Sequence, residues 1–181
     1  MRIVGISGAL SGQKTSQMVY DCLYAAKKAN SDVEFELIDL KDFDIEFMQG
    51  LPLSYYNDET QTVVKKILKA DGMVIGTPIY QASISGSLKN LLDLMPERAF
   101  NGKVVGYISN AGSEKHFMVA QYNLEPIIRF LGGIIPPKNV FVNFDHFDPE
   151  DNIIIDKRVK ERIMDFGKML VEMTERLGSD Y

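Results

Sequence analysis

Residues 76–96 read GTPIYQASISGSLKNLLDLMP, and this stretch decides the fold. Its first residues close an apolar run at 72–77, GMVIGT, that is short and bounded by glycine. Such a run reads as a buried strand. Pro78 then sets the backbone direction and lacks an N–H. From residue 85 onward Leu88, Leu91, Leu92 and Met95 recur at helical spacing, which predicts an amphipathic helix over 85–95. The expected unit is strand, short loop over 78–85, helix. Tyr80 lies at the turn, and Ser83 or Ser85 is the expected helix cap.

The same unit repeats on either side. Apolar runs occur at 2–7 (RIVGIS), 33–38 (VEFELI), 103–109 (KVVGYIS) and 138–142 (KNVFV). The runs at 2–7, 72–77 and 103–109 are nearly continuous, as in strands covered on both faces. The run at 33–38 alternates, which suits a sheet edge. Helical periodicity covers 16–29, 59–70, 117–131 and 156–177. Strands alternating with helices predict a parallel sheet with right-handed crossovers. Five strands in that alternation give a flavodoxin-like α/β three-layer sandwich, sheet order 2-1-3-4-5. Residues 1–181 are read as a single domain. The mixed segment 39–58 exceeds an ordinary connection, so it is expected to line a site or cover a subunit contact.

Composition narrows the function classes. A formal net charge of −5 and the lack of a basic run argue against a nucleic-acid partner. The single cysteine, Cys22, falls in a helical pattern and reads as a small core residue. No zinc spacing, signal peptide or membrane span is legible, so a cytoplasmic protein is expected.

In such a sheet ligands lie beyond the C-terminal strand ends, at the switch in strand order. The loops that meet there are 7–16, 78–85 and 109–116. The first, with Ser11, Lys14, Thr15 and Ser16 at a helix start, reads as a phosphate site. It is neither a dinucleotide fingerprint nor a Walker loop, since Gln13 precedes Lys14. The alternative is a solvated loop with Ser16 as N-cap. In the second, the N–H groups from Ile79 to Ala82 face a ligand edge and Tyr80 meets an aromatic ring, or Tyr80 belongs to the core. In the third, Gly112 admits a planar ligand. His116 reads as a base, a phosphate contact or a surface residue. A phosphate at one end and a flat polar heterocycle at the other suit FMN.

The run from Pro78 through PIYQASISGSLKNLLD to Asp93 resembles the flavin-contact segment of NADPH-dependent FMN reductases. LMPERAFNGKVV at 94–105 and AQYNLEPII at 120–128 resemble the subgroup that serves alkanesulfonate monooxygenases. In that subgroup a fourth-helix tyrosine, here Tyr122, accompanies a π-bulge at a tetramer interface. The likeness runs from Arg2 to about Gly132. It implies phosphate contacts from Ser11, Lys14, Thr15, Ser16 and Gln17. It implies flavin-ring contacts, mostly through backbone, from Pro78, Ile79, Tyr80 and Gln81. Asn110, Ala111, Gly112 and Ser113 are implied near the ring and the nicotinamide. The family's Gly-Ser-x-Arg is absent: Gly8 is followed by Ala9, Leu10 and Ser11. Lys14 stands in for the arginine as a point charge rather than a fork.

The resemblance implies hydride transfer from NADPH to FMN, with chemistry carried by the cofactors and no general base or metal required. Three readings stay open. The first is an FMN reductase that releases reduced FMN to a flavin-dependent monooxygenase. The second keeps FMN bound and reduces quinones or azo dyes. The third is a flavodoxin-like electron carrier. A homodimer or homotetramer is expected, with the helix from Ser85 helping to pair subunits. The chain after Asp145, His146 included, carries no functional signal.

Overall fold

The computed structural model describes residues 1–178; the end of the expected single domain, residues 179–181, lies outside the described residues. In chain order the elements are β1 (Arg2–Ser7), α1 (Lys14–Ala29), β2 (Glu34–Asp39), α2 (Asp58–Leu68), β3 (Gly72–Tyr80), β4 (Ser83–Ile84) and α3 (Gly86–Asp93). They continue with β5 (Val104–Ala111), α4 (Val119–Asn123), α5 (Glu125–Phe130), β6 (Val140–Asn143) and α6 (Lys157–Gly178).

The long strands pair in parallel in the order β2-β1-β3-β5-β6, and only β4 is added to the expected order, as an antiparallel partner of β3. The strand with alternating residues does lie at the edge. Glu36 is paired there: it accepts from Arg2 at 2.7 Å and Lys66 at 2.5 Å. Strands β1, β3 and β5 are buried almost end to end because helices cover both faces.

One face of the sheet carries α2, α3, α4 and α5 over Val4, Ile6, Ile75 and Tyr107. The other carries α1 and α6 over Ile3, Val74 and Ile108. Helix α1 packs very close. A Cβ at Gly76 would stand 2.4 Å from Val19 Cγ2, so the strand under this helix has room for glycine alone. Cys22 is fully buried in this layer, as its pattern predicted.

The starts of α2, α3 and α6 are capped by side chains. Asn57 accepts from Thr60 N–H at 2.8 Å to open α2, and Ser85 accepts from Leu88 N–H at 3.3 Å to open α3. Asp156 accepts from Val159 N–H at 2.9 Å ahead of α6.

Two expectations need correction. The helix expected over 117–131 is broken at Leu124 into α4 and α5. Pro126 has no N–H to return to Tyr122, so the run cannot continue unbroken. The loop expected over 78–85 is instead a hairpin. Strand β3 runs on to Tyr80, turns at Gln81 (φ 48°) and Ala82 (φ 58°), and returns as β4. Two successive left-handed residues make the tight turn that matches strand twist.

The segment 39–58 is ordered against the core. Phe43, Ile45, Met48 and Leu53 pack on it, and Tyr56 is buried. The Asn90 side chain of α3 holds it, accepting from Met48 N–H at 2.8 Å and donating to Glu46 O at 3.0 Å. Between this segment and α3 lies a groove of about 360 Å³ lined by Leu10, Phe43, Phe47, Ser87 and Asn90. Among the described residues no helix is long and apolar enough to cross a membrane.

Candidate functional site

The three loops do meet, and specific bonds lock them together. Gly8 follows β1 directly, and its N–H donates to Gly76 O at 2.8 Å. Its carbonyl accepts from Ser85 Oγ at 2.6 Å and Ser87 Oγ at 2.7 Å. A Cβ at Gly8 would lie 2.9 Å from Leu88 Cβ, 3.0 Å from Ser85 Oγ and 3.1 Å from Gly76 O. Backbone and helix thus meet with no space for a side chain. The first loop and the helix of the second loop form one wall.

The first and third loops are joined by a buried bond. Thr15 Oγ1 donates to Asn110 Oδ1 at 3.0 Å. Helix α1 begins at Lys14, two residues before the sequence reading placed it, and that shift turns Thr15 inward. Ser16 is not the N-cap. It is half-buried, and its hydroxyl donates back to Gln13 O at 3.1 Å. Among the described residues no side chain caps the helix. Its first N–H groups are therefore left for an external acceptor.

Lys14 is half-buried, and its Nζ donates to Asn152 Oδ1 at 2.6 Å. The same ammonium lies 5.4 Å from the Phe147 ring centroid and 5.9 Å from that of Phe144. Ser11 is exposed beside Gly12, whose φ is 74°. Gln17 lines a groove with Gln13 and Ser16. Its side chain donates to Asp21 at 2.9 Å on the side of α1 that faces Lys160 and Met164 of α6. Burial pushes the Asp21 carboxyl up, against this bond and Lys160.

In the second loop Pro78 is buried within β3, opposite Asn110 of β5. Ile79 and Tyr80 pair with Ile84 and Ser83, which leaves Gln81 and Ala82 at the exposed hairpin tip. Tyr80 is 48% exposed, so it belongs to the rim and not to the core. In the third loop Asn110 and Ala111 are the buried last residues of β5, and Gly112 is exposed. Ser113 accepts from Lys115 N–H at 3.4 Å and caps the short turn Glu114–His116.

Whether this crevice fits a phosphorylated flavin is testable on its own atoms. The start of α1 is uncapped, and one lysine stands beside it. At the foot of the loop the buried Ser7 hydroxyl has no hydrogen-bond partner among the described residues. An uncapped helix start with spare donors is an anion site. A Cβ at Gly86 would meet nothing within 4 Å, so the wall beside it is open. The residues present fit the group.

Sequence reasoning missed the double role of Ser85, the Ser87 contact and the whole segment after β6. The run DPEDN at 148–152 is turn-like in composition and could have signalled a hairpin. Nothing in it says where the hairpin lands.

Comparison with known proteins bears on this site. The profile of the NADPH-dependent FMN reductase family matches residues 1–147. An NAD(P)H-dependent FAD/FMN reductase of Geobacillus thermodenitrificans is 41% identical over 179 residues, which cover 99% of this chain and 96% of that one. An NADPH-using FMN reductase of Escherichia coli is 31% identical over 153 residues, 81% of this chain and 78% of that one. The crystal structure of an apo NADH:FMN oxidoreductase superposes with a TM-score of 0.80 at 25% identity, covering 95% of this chain and 89% of that one.

Proposed function

The chain belongs to the NADPH-dependent FMN reductase family, and from that premise we propose that the three-loop crevice holds FMN and that reduced FMN leaves for a separate flavin-dependent monooxygenase. Electrons come from NADPH or NADH. When bound, FMN supplies N5 as the acceptor of the nicotinamide hydride.

The residues divide the work. The uncapped start of α1, with Ser11, Lys14 and Ser16, takes the phosphate. Thr15 and Asn110 hold the first loop at a set distance from the third. The backbone of Pro78, Ile79, Tyr80 and Gln81 borders the ring on one side. Ala111, Gly112 and Ser113 border it on the nicotinamide side, where Gly112 leaves space for a second flat ring. N–H donors at the hairpin tip oppose the negative charge that develops on the pyrimidine edge. Gln17, next to Ser16 on the first turn of α1, is a further phosphate neighbour in this reading.

The observation that carries release, as opposed to tight retention, is the phosphate end itself. Lys14 is the one basic residue between Ser7 and Gln17. A lysine offers a point charge where an arginine would grip with a fork. Exposed Phe117 (59%), Tyr122 (69%) and Phe130 (81%) on and beside α4 and α5 support a homodimer or homotetramer. A chain with a single, buried thiol that depends on NADPH is read as cytoplasmic.

The test is NADPH oxidation under air with free FMN titrated from zero. A rate that starts near zero and saturates with FMN supports flavin as substrate. A yellow protein that ignores added FMN and speeds up with a quinone or azo dye overturns the release reading.

A further inference from the structure

After β6 the chain folds back over the crevice before entering α6. The short turn Phe144–His146 leads into a small hairpin in which Phe147 bridges Ile154. Asp148 N–H donates to Ile153 O at 2.7 Å, and Asn152 N–H donates to Asp148 O at 3.1 Å. The Asp148 carboxylate accepts from Glu150 N–H at 2.9 Å and Asp151 N–H at 3.1 Å. Phe147 and Ile154 are buried, so the strap is anchored to the core beneath it.

This strap touches both ends of the site. Asn152 accepts the hydrogen bond from Lys14 across 138 residues, and the Phe144 and Phe147 rings flank the same ammonium. Phe144 also borders the third loop, since a Cβ at Gly112 would lie 3.4 Å from its ring. Residues 148–152 lie beyond the 1–147 matched by the family profile.

We infer that Asn152 is a positioning residue for phosphate recognition: it holds the Lys14 ammonium at the mouth of the first loop, so that the strap sets preference for a phosphorylated flavin. The inference rests on the FMN reading of the crevice. An ammonium has three donors, and one spent on Asn152 leaves two for a phosphate. A free lysine loses much rotamer freedom when it binds, whereas one already held loses little. The Asn152 side chain is neutral, so it holds the charge without cancelling it.

The test measures FMN and riboflavin binding by quenching of flavin fluorescence in the wild type, Asn152→Gly and Asn152→Asp. Asn152 has φ 57°, which glycine adopts freely, so Asn152→Gly removes the side chain and keeps the turn. The expected result is an FMN Kd raised about three- to tenfold in Asn152→Gly with riboflavin unchanged. Asn152→Asp is expected to lose more, because a carboxylate cancels Lys14, again with riboflavin unchanged. Unchanged or tighter FMN binding in Asn152→Gly overturns the inference. Equal weakening of both flavins overturns it too, because the strap is then only structural. A wild type that binds FMN no better than riboflavin removes the phosphate reading itself, and the inference with it.

Discussion

Thr15 and Asn110, 95 residues apart, share a buried hydrogen bond of 3.0 Å that ties the start of α1 to the end of β5. Thr15→Val keeps the shape and removes the donor. Asn110 Oδ1 is then left buried without its partner, which costs about 1–3 kcal/mol. Urea unfolding is expected to show that loss, and FMN binding is expected to weaken as the loops part. Thr15→Ser should recover most of both. Equal stability of the valine and wild-type proteins would contradict the role given to this bond.

Gly8→Ala places a methyl against Leu88 Cβ, Ser85 Oγ and Gly76 O, all within 3.1 Å. Two of these contacts are backbone or helix stem, and neither yields cheaply. The loop has to shift, at about 1–3 kcal/mol. The expected outcome is FMN affinity reduced about tenfold or more with an unchanged circular dichroism spectrum. Normal flavin binding would show that the loop position does not matter.

The hairpin tip carries backbone strain. Ala82 holds φ 58°, where a Cβ crowds its own carbonyl. Ala82→Gly relieves this, partly offset by the entropy glycine loses on folding. A net gain of about 0.5–1 kcal/mol is expected in thermal or urea unfolding. A loss of stability would mean that the Ala82 methyl makes a contact worth more than the strain.

Glu36 sets a pH signature at the sheet edge. Burial pushes its carboxyl up, but Lys66 and then Arg2 outweigh burial and hold it below the ordinary glutamate value. A depressed folded value means the unfolded chain takes up protons first as pH falls. The stabilisation is therefore present above the ordinary value and lost as pH falls through the folded one. The bridges are partly solvated, so Glu36→Gln should cost about 0.5–1 kcal/mol at neutral pH. Unfolding midpoints of the two proteins should converge in acid. A gap that persists at low pH would assign the effect to packing.

Much of this architecture is legible before any fold is known. The glycine-bounded apolar runs, the alternating run at the edge and the helical stripes from Met18 to Leu23 and Leu88 to Leu92 follow from side-chain period alone. Period reports which face is buried, and burial on both faces implies parallel pairing. The meeting of the three loops follows from the strand order. Ser85 as a helix cap is a local rule that held.

The helix boundary before Thr15 was not legible. Once the helix includes Thr15, the residue stands three, four and seven positions before Met18, Val19 and Cys22, so it joins their buried stripe and its hydroxyl meets Asn110. The hairpin at Gln81 and Ala82 was also hidden, because neither residue advertises a positive φ.

What the sequence by itself determined is the layered sheet and the crevice at its switch point, since both rest on periodicity and chain order. The tertiary structure alone decided which polar atoms meet there. Lys14 with Asn152, Thr15 with Asn110 and Gly8 with Ser85 and Ser87 are joined across 77 to 138 residues. No local pattern encodes such pairs, because each depends on where separate elements come to rest against a common core.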